Sequence, residues 1–167
     1  MVRCMLGVVL HRASGAGPAL VTTRDRVLAA AKGADAVVMA AAVADFRPKR
    51  ISEGKLKKDQ GVPEVVLEPT PDTLAELGRR RRPGQVLVGF AAETDDHLAA
   101  ARRKLERKRL DLVVLNHVEG ARSAFGSDAA DASLVDATGV EELGGVSKAA
   151  VAARLLDRVE ALRRPTR

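Results

Sequence analysis

Three short runs of this chain are apolar throughout: Ala36–Ala40, Val86–Phe90 and Leu112–Leu115. A strand with one wet face alternates polar and apolar residues. A strand covered on both faces does not, and such strands belong mainly to parallel sheets flanked by helices. Helical segments separate these runs. Thr23–Lys32 reads as a short helix stopped by Gly33. Thr70-Pro71-Asp72 opens a second helix, with a capping hydroxyl, Pro at the first helical position and a carboxylate in the first turn. That helix ends in Arg79–Arg82 before Pro83-Gly84. A third runs from Asp95-Asp96 to about Arg109, with Leu98, Ala101 and Leu105 on one face. The alternation predicts an α/β sandwich of three layers around a mainly parallel sheet.

The remaining elements complete that plan. Leu6–Leu10 and Val65–Leu67 are strand candidates, and Asp45–Gly61 and Asn116–Asp131 read as loops. Ser133–Val135 and Val140–Leu143 form a predicted β-hairpin around Thr138-Gly139. Ser147–Leu162 is the closing amphipathic helix, with Val151, Leu155, Val159 and Leu162 expected inside. The core has no Trp, no Tyr and only three Phe to draw on, so Ala, Val and Leu must fill it. A length of 167 residues suits one domain.

Charge and cysteine usage narrow the partners. There are 28 basic and 22 acidic residues, a formal charge of +6, which favours anionic partners. No aromatic residues accompany the basic runs to stack on bases, so nucleic acid is not expected and phosphorylated small molecules fit better. Cys4 is the only cysteine, so an internal disulfide is excluded and a reducing compartment is the default. No apolar run is long enough to span a bilayer, and the expected location is the cytoplasm.

In a parallel sheet ligands gather beyond the carboxyl ends of the strands. The first such end is Ala40-Ala41-Ala42-Val43-Ala44-Asp45, where small residues admit a ligand close to the main chain. The Asp45 carboxylate could accept from an exocyclic amine, hold a hydrated cation, or merely cap the strand. Glu53-Gly54-Lys55-Leu56-Lys57-Lys58 follows, three ammonium groups on a Gly-hinged loop that could cradle phosphates or simply be solvated. Gly89-Phe90-Ala91-Ala92-Glu93-Thr94 is a second small-residue strand end, where Phe90 could lie on a base or in the core. Lys104 and Lys108 are one helical turn apart, but Arg103 and Arg107 repeat the pattern one position earlier, and spacing does not choose between the pairs. No Walker loop, GxGxxG, GxSxG or HExxH occurs, and His11, His97 and His117 lack metal-ligand spacing.

Taken in order, Ala-Ala-Ala-Val-Ala-Asp-Phe-Arg-Pro, Lys-Leu-Lys-Lys, Thr-Pro-Asp, Val-Gly-Phe-Ala-Ala-Glu-Thr, and then Lys104 and Lys108 resemble the phosphopantothenoylcysteine synthetase domain, over about Thr22 to Leu162. In bacteria that domain is usually the C-terminal half of a protein whose other half is a flavin-dependent decarboxylase. The resemblance implies a Rossmann-like fold and a ligase of coenzyme A biosynthesis. CTP would activate 4'-phosphopantothenate as an acyl-cytidylate with release of pyrophosphate, and cysteine would then displace CMP. It further implies that Met39, Ala40, Ala41 and Asp45 line the cytidine site. Lys55 matches the functional lysine of the mobile loop, and Pro71, Asp72, Thr73, Leu74, Phe90, Lys104 and Lys108 complete the CTP contacts. The helix start at Pro71 offers free N–H groups to phosphate, and Mg²⁺ would accompany the triphosphate.

The chain also departs from the family pattern. The Gly-rich first strand and loop, and the following Ser-Ser-Gly-Lys type segment, have no match in residues 1–21, and Asn116-His117 stands where Asn-Asp is usual. The expected organisation is therefore an atypical segment 1–21, a partial synthetase-like domain 22–163 and a basic tail 164–167. A fragment of this kind is expected to bind CTP weakly and to form little product by itself. The alternative is a CTP-binding partial domain or partner subunit without turnover. No flavin is expected on this chain. A homodimer using strands near the Ser133–Leu143 hairpin, and a decarboxylase domain or subunit as partner, follow from the family.

Overall fold

A computed structural model describes residues 4–6, 23–41, 43–50, 61–93, 96–117 and 129–163. The chain divides into two compact units, Met1–Ala41 with Thr73–Arg167, and Ala42–Asp72.

The first unit is built on a six-stranded sheet in the order β1-β2-β5-β6-β7-β8. Its strands are β1 (Cys4–Leu6), β2 (Ala36–Met39), β5 (Val86–Glu93), β6 (Leu112–His117), β7 (Ala129–Val135) and β8 (Val140–Ser147). The pairs β1–β2, β2–β5 and β5–β6 are parallel, and β6–β7 and β7–β8 antiparallel. The predicted α/β architecture, with its C-terminal hairpin and helix, is therefore the observed one.

Two cores lie on opposite faces of this sheet, separated by the alternation along each strand. On one face, Val37, Leu87, Val113, Leu115 and Val135 meet α1 (Thr23–Ala31), α2 (Thr73–Arg80) and α3 (His97–Arg107). On the other, Ala36, Val38, Val88, Val114 and Leu134 meet Val151, Leu155 and Val159 of α4 (Lys148–Arg163). Ser147 Oγ accepts from the Ala150 N–H at 3.1 Å, the cap that opens α4. Leu162 of α4 and Leu98 of α3 are exposed, against expectation. Each sits at an end of its helix, beyond the reach of the sheet.

Close approach fixes α2. A Cβ on Gly78 would stand 2.0 Å from the Lys108 carbonyl oxygen, and one on Gly89 would meet Leu74 and Leu110 at 2.9 Å. The first neighbour is backbone and demands glycine; at Gly89 the neighbours are leucine methyl groups that would have to give way. The β7–β8 turn is tied to α4 by Asp136. Its Oδ1 accepts from the Thr138 N–H at 2.7 Å and its Oδ2 from Arg158 Nε at 2.9 Å. Burial by itself would raise the Asp136 pKa, but the bonds from Thr138 and Arg158 outweigh it and hold the carboxyl below its ordinary value.

The second unit holds a two-stranded antiparallel sheet, β3 (Phe46–Pro48) against β4 (Leu67–Pro69). The sequence reading placed a loop over the first and ended a strand at Leu67, where β4 begins. Both strands carry Pro, which marks edges, and Arg47 Nε donates to Glu68 Oε1 across the pair at 2.7 Å. The Thr70 N–H donates to the Asp45 carbonyl at 2.7 Å, prolonging this pairing beyond Pro69. Helix α2 consequently starts at Thr73 rather than at Pro71. The buried Thr70 hydroxyl has no partner among the described residues and caps nothing. The predicted loop Asn116–Asp131 also shortens at both ends: β6 continues to His117, and β7 already begins at Ala129.

Candidate functional site

The parallel strands β2, β5 and β6 end together, and Met39, Ala40, Ala41 and the opening of α2 lie at or near that edge, whereas Lys108 lies at the far end of α3, just before β6 begins. Met39 ends β2 and packs partly into the α1–α3 core, followed by exposed Ala40 and half-buried Ala41. Thr73 and Leu74 open α2 and are 6% and 5% exposed. Leu74 is committed to the core beside Gly89, so a ligand at this helix end would meet backbone N–H groups rather than the leucine side chain.

Phe90 and Lys104 come together, though not through the ring. The Phe90 side chain packs partly into the α4-side core. Its carbonyl oxygen accepts from Lys104 Nζ at 2.5 Å, bringing α3 onto the carboxyl half of β5. Lys108 caps the C-terminus of α3, and its N–H donates to the Lys104 carbonyl at 3.0 Å. An open groove beside α3 is lined by Ala100, Arg103, Lys104, Glu106 and Arg107. The two basic pairs that spacing left equivalent therefore differ. Lys104 reaches the main chain of β5, whereas Arg103 and Arg107 are exposed beside it.

Asp45, Pro71 and Asp72 belong to the second unit. Asp45 is exposed and uses its carbonyl, not its carboxylate, in the bond to Thr70. Lys55, with Lys57 and Lys58, lies outside the described residues.

Sequence reasoning passed over one polar cluster on the α1–α3 face of the sheet. His117 Nε2 lies 2.7 Å from Ser133 Oγ, and that hydroxyl donates to Glu142 Oε2 at 2.6 Å. The His117 and His97 rings meet edge to face, with centroids 5.6 Å apart. Linear spacing gives no sign of this cluster. Only the register, which pairs Leu115 with Ser133 and Ser133 with Glu142, sets the strands so that these side chains meet. Among the described residues, no group of three or more His, Cys, Asp or Glu side chains could hold a metal ion. No helix there is long and apolar enough to cross a membrane.

Residues 20–162 match the family described as the DNA/pantothenate metabolism flavoprotein C-terminal domain. The chain belongs to this family. It is 40% identical over 144 residues to the Bacillus subtilis coenzyme A biosynthesis bifunctional protein CoaBC, covering 86% of this chain and 35% of that protein. It is 38% identical over 126 residues to a prokaryotic protein named cysteine/cysteine sulfinic acid decarboxylase, covering 75% of this chain and 35% of that protein. The crystal structure of the C-terminal domain of a CoaBC protein superposes with a TM-score of 0.65 at 29% identity, covering 83% of this chain and 60% of that one. The chain thus spans about a third of the length of these curated relatives, and the part it matches in the solved structure is the C-terminal domain of CoaBC.

Proposed function

We propose that this domain is a phosphopantothenate–cysteine ligase of coenzyme A biosynthesis that draws its energy from CTP. The observation that carries the reading is the Lys104 ammonium on the Phe90 carbonyl, at the carboxyl half of β5, in a domain of this family. That bond holds α3 against the strand edge where α/β sheets receive nucleotides. The small residues Ala40 and Ala41, the opening of α2 and the α3 groove supply close backbone approach, N–H donors and positive charge.

In this reading the pantothenate carboxylate attacks the α-phosphorus of CTP, and pyrophosphate leaves with the electron pair of the broken P–O bond. The cysteine amine then attacks the acyl carbon, and CMP departs. Mg²⁺ would travel with the triphosphate, and the lysines would offset charge developing on the phosphoryl oxygens. By the family resemblance, Asp45 is the proposed acceptor of the cytosine amine and Lys55 the proposed partner of the phosphates. The working form is a homodimer in the cytoplasm, with a decarboxylase domain or subunit as the partner supplying the next step.

Single-turnover assays with the chain in excess over 4'-phosphopantothenate test this. CTP at high concentration is expected to give pyrophosphate and, after cysteine is added, phosphopantothenoylcysteine, slowly as befits a partial domain. UTP and ATP are expected to give at least tenfold less, and Lys55→Gln to slow turnover with little effect on melting temperature. Equal rates with ATP would overturn the cytidine specificity. Calorimetric binding of CTP without pyrophosphate would favour a nucleotide-binding partner subunit instead.

A further inference from the structure

The cluster His117–Ser133–Glu142 crosses three adjacent strands on the face that also carries Met39, α2 and α3. Its hydrogen bonds have a definite direction. A serine hydroxyl has one proton to give, and Ser133 is fully buried, with His117 and Glu142 as its two partners. An ionised carboxylate can only accept, so the Ser133 proton points to Glu142 Oε2. Ser133 must therefore accept from His117, which fixes the Nε2–H tautomer and leaves Nδ1 with the lone pair. The order is His–Ser–Glu, with the serine in the middle and shut away from solvent. Ser133 therefore serves to orient the ring and is no nucleophile.

The surroundings suit a group that gains and loses charge. Glu142 Oε2 is 3.7 Å from His117 Nε2, close enough to stabilise an imidazolium. His97 from α3 packs on the ring, and its own Nδ1 is buried with no partner among the described residues. His117 is the last residue of β6, on the edge where parallel strands deliver ligands, and its side chain is 31% exposed.

We propose that His117 is the general base of the amine half-reaction, with Ser133 and Glu142 as positioning residues; this rests on the ligase reading above. When the cysteine nitrogen bonds to the acyl carbon, the carbon–oxygen bond to CMP breaks and its electron pair leaves with CMP. The nitrogen then carries one proton too many for an amide. That proton passes to His117 Nδ1, and the resulting imidazolium is balanced by Glu142 through the Ser133 hydroxyl.

The test separates the two halves of the reaction in the whole chain. Pyrophosphate release is followed without cysteine, and amide formation after cysteine is added, across a range of pH. In His117→Gln, amide formation is expected to fall about a hundredfold more than pyrophosphate release, in line with the usual effect of a general base. Glu142→Gln should likewise slow amide formation more than pyrophosphate release, because Ser133 loses the acceptor that sets the direction of its hydroxyl. Nitrogen-15 NMR of the unliganded chain should show the Nε2–H tautomer at His117, and its loss in Ser133→Ala. An Nδ1–H tautomer, or equal slowing of both half-reactions in His117→Gln, overturns the proposal while leaving the ligase reading intact. No pyrophosphate from the unaltered chain overturns both.

Discussion

The strands of the two units are held by different means. In the six-stranded sheet Leu87, Leu112, Val113, Val114 and Leu115 are buried to the last few per cent, between helices on both faces. In the two-stranded sheet Phe46 is 60% and Leu67 55% exposed, and nearby Val62, Val65 and Val66 are exposed as well. Burying a Leu or Val side chain contributes about 1.5–3 kcal/mol, so the large sheet is specified by apolar area. The small one depends on its ladder, the Arg47–Glu68 pair and the Thr70–Asp45 bond. The same residue types thus carry different weight in the two places.

Mutations can sharpen or break that contrast. Leu87→Ala should have the largest effect, a loss of about 3–5 kcal/mol in urea unfolding, because the surrounding sheet and helices cannot collapse into the void. Gly78→Ala should cost about 2–4 kcal/mol by the opposite route, since its methyl would strike the Lys108 carbonyl. A loss under 0.5 kcal/mol there would show that α2 can shift on the sheet.

Asp136→Asn should cost about 1–3 kcal/mol at pH 7, because the Arg158 guanidinium and the turn N–H groups lose their carboxylate. The Asp136 pKa is depressed in the folded state, so its contribution is complete above the ordinary carboxylate value and is lost as pH falls through the lowered one. Acid unfolding followed by circular dichroism should therefore be less steep in Asp136→Asn. The smallest effect belongs to the second unit. Phe46→Ala should change global stability by no more than about 0.5 kcal/mol, and a loss above 2 kcal/mol would mean that this exposed sheet is as coupled to folding as the buried one.

Where burial decides the structure, the sequence is easy to read. The uniformly apolar runs of β2, β5 and β6 announce two covered faces, and Ser147 announces the start of α4. The strands β3 and β4 left no such mark, being three residues each, with a proline in both and no alternation. Helix α2 begins late for the same reason, since Thr70 answers to Asp45 across the small sheet rather than to the helix ahead of it. At the candidate site, small-residue strand ends and basic spacing drew attention to the carboxyl edge of the sheet and to α3. They could not tell Lys104 from Arg103, because the distinction is a single bond to the Phe90 carbonyl. Nor could they link His117 to Ser133 and Glu142, which only strand register brings side by side.

The contact between Gly78 and the Lys108 carbonyl has a mechanical meaning. Two helices that slide need a compressible layer of side chains between them, and here bare backbone rests on bare backbone. Helix α2 and the C-terminal end of α3 therefore behave as one stiff bracket, with no play at the joint. A ligand at the opening of α2 would meet a helix whose seat was set during folding, before it arrived.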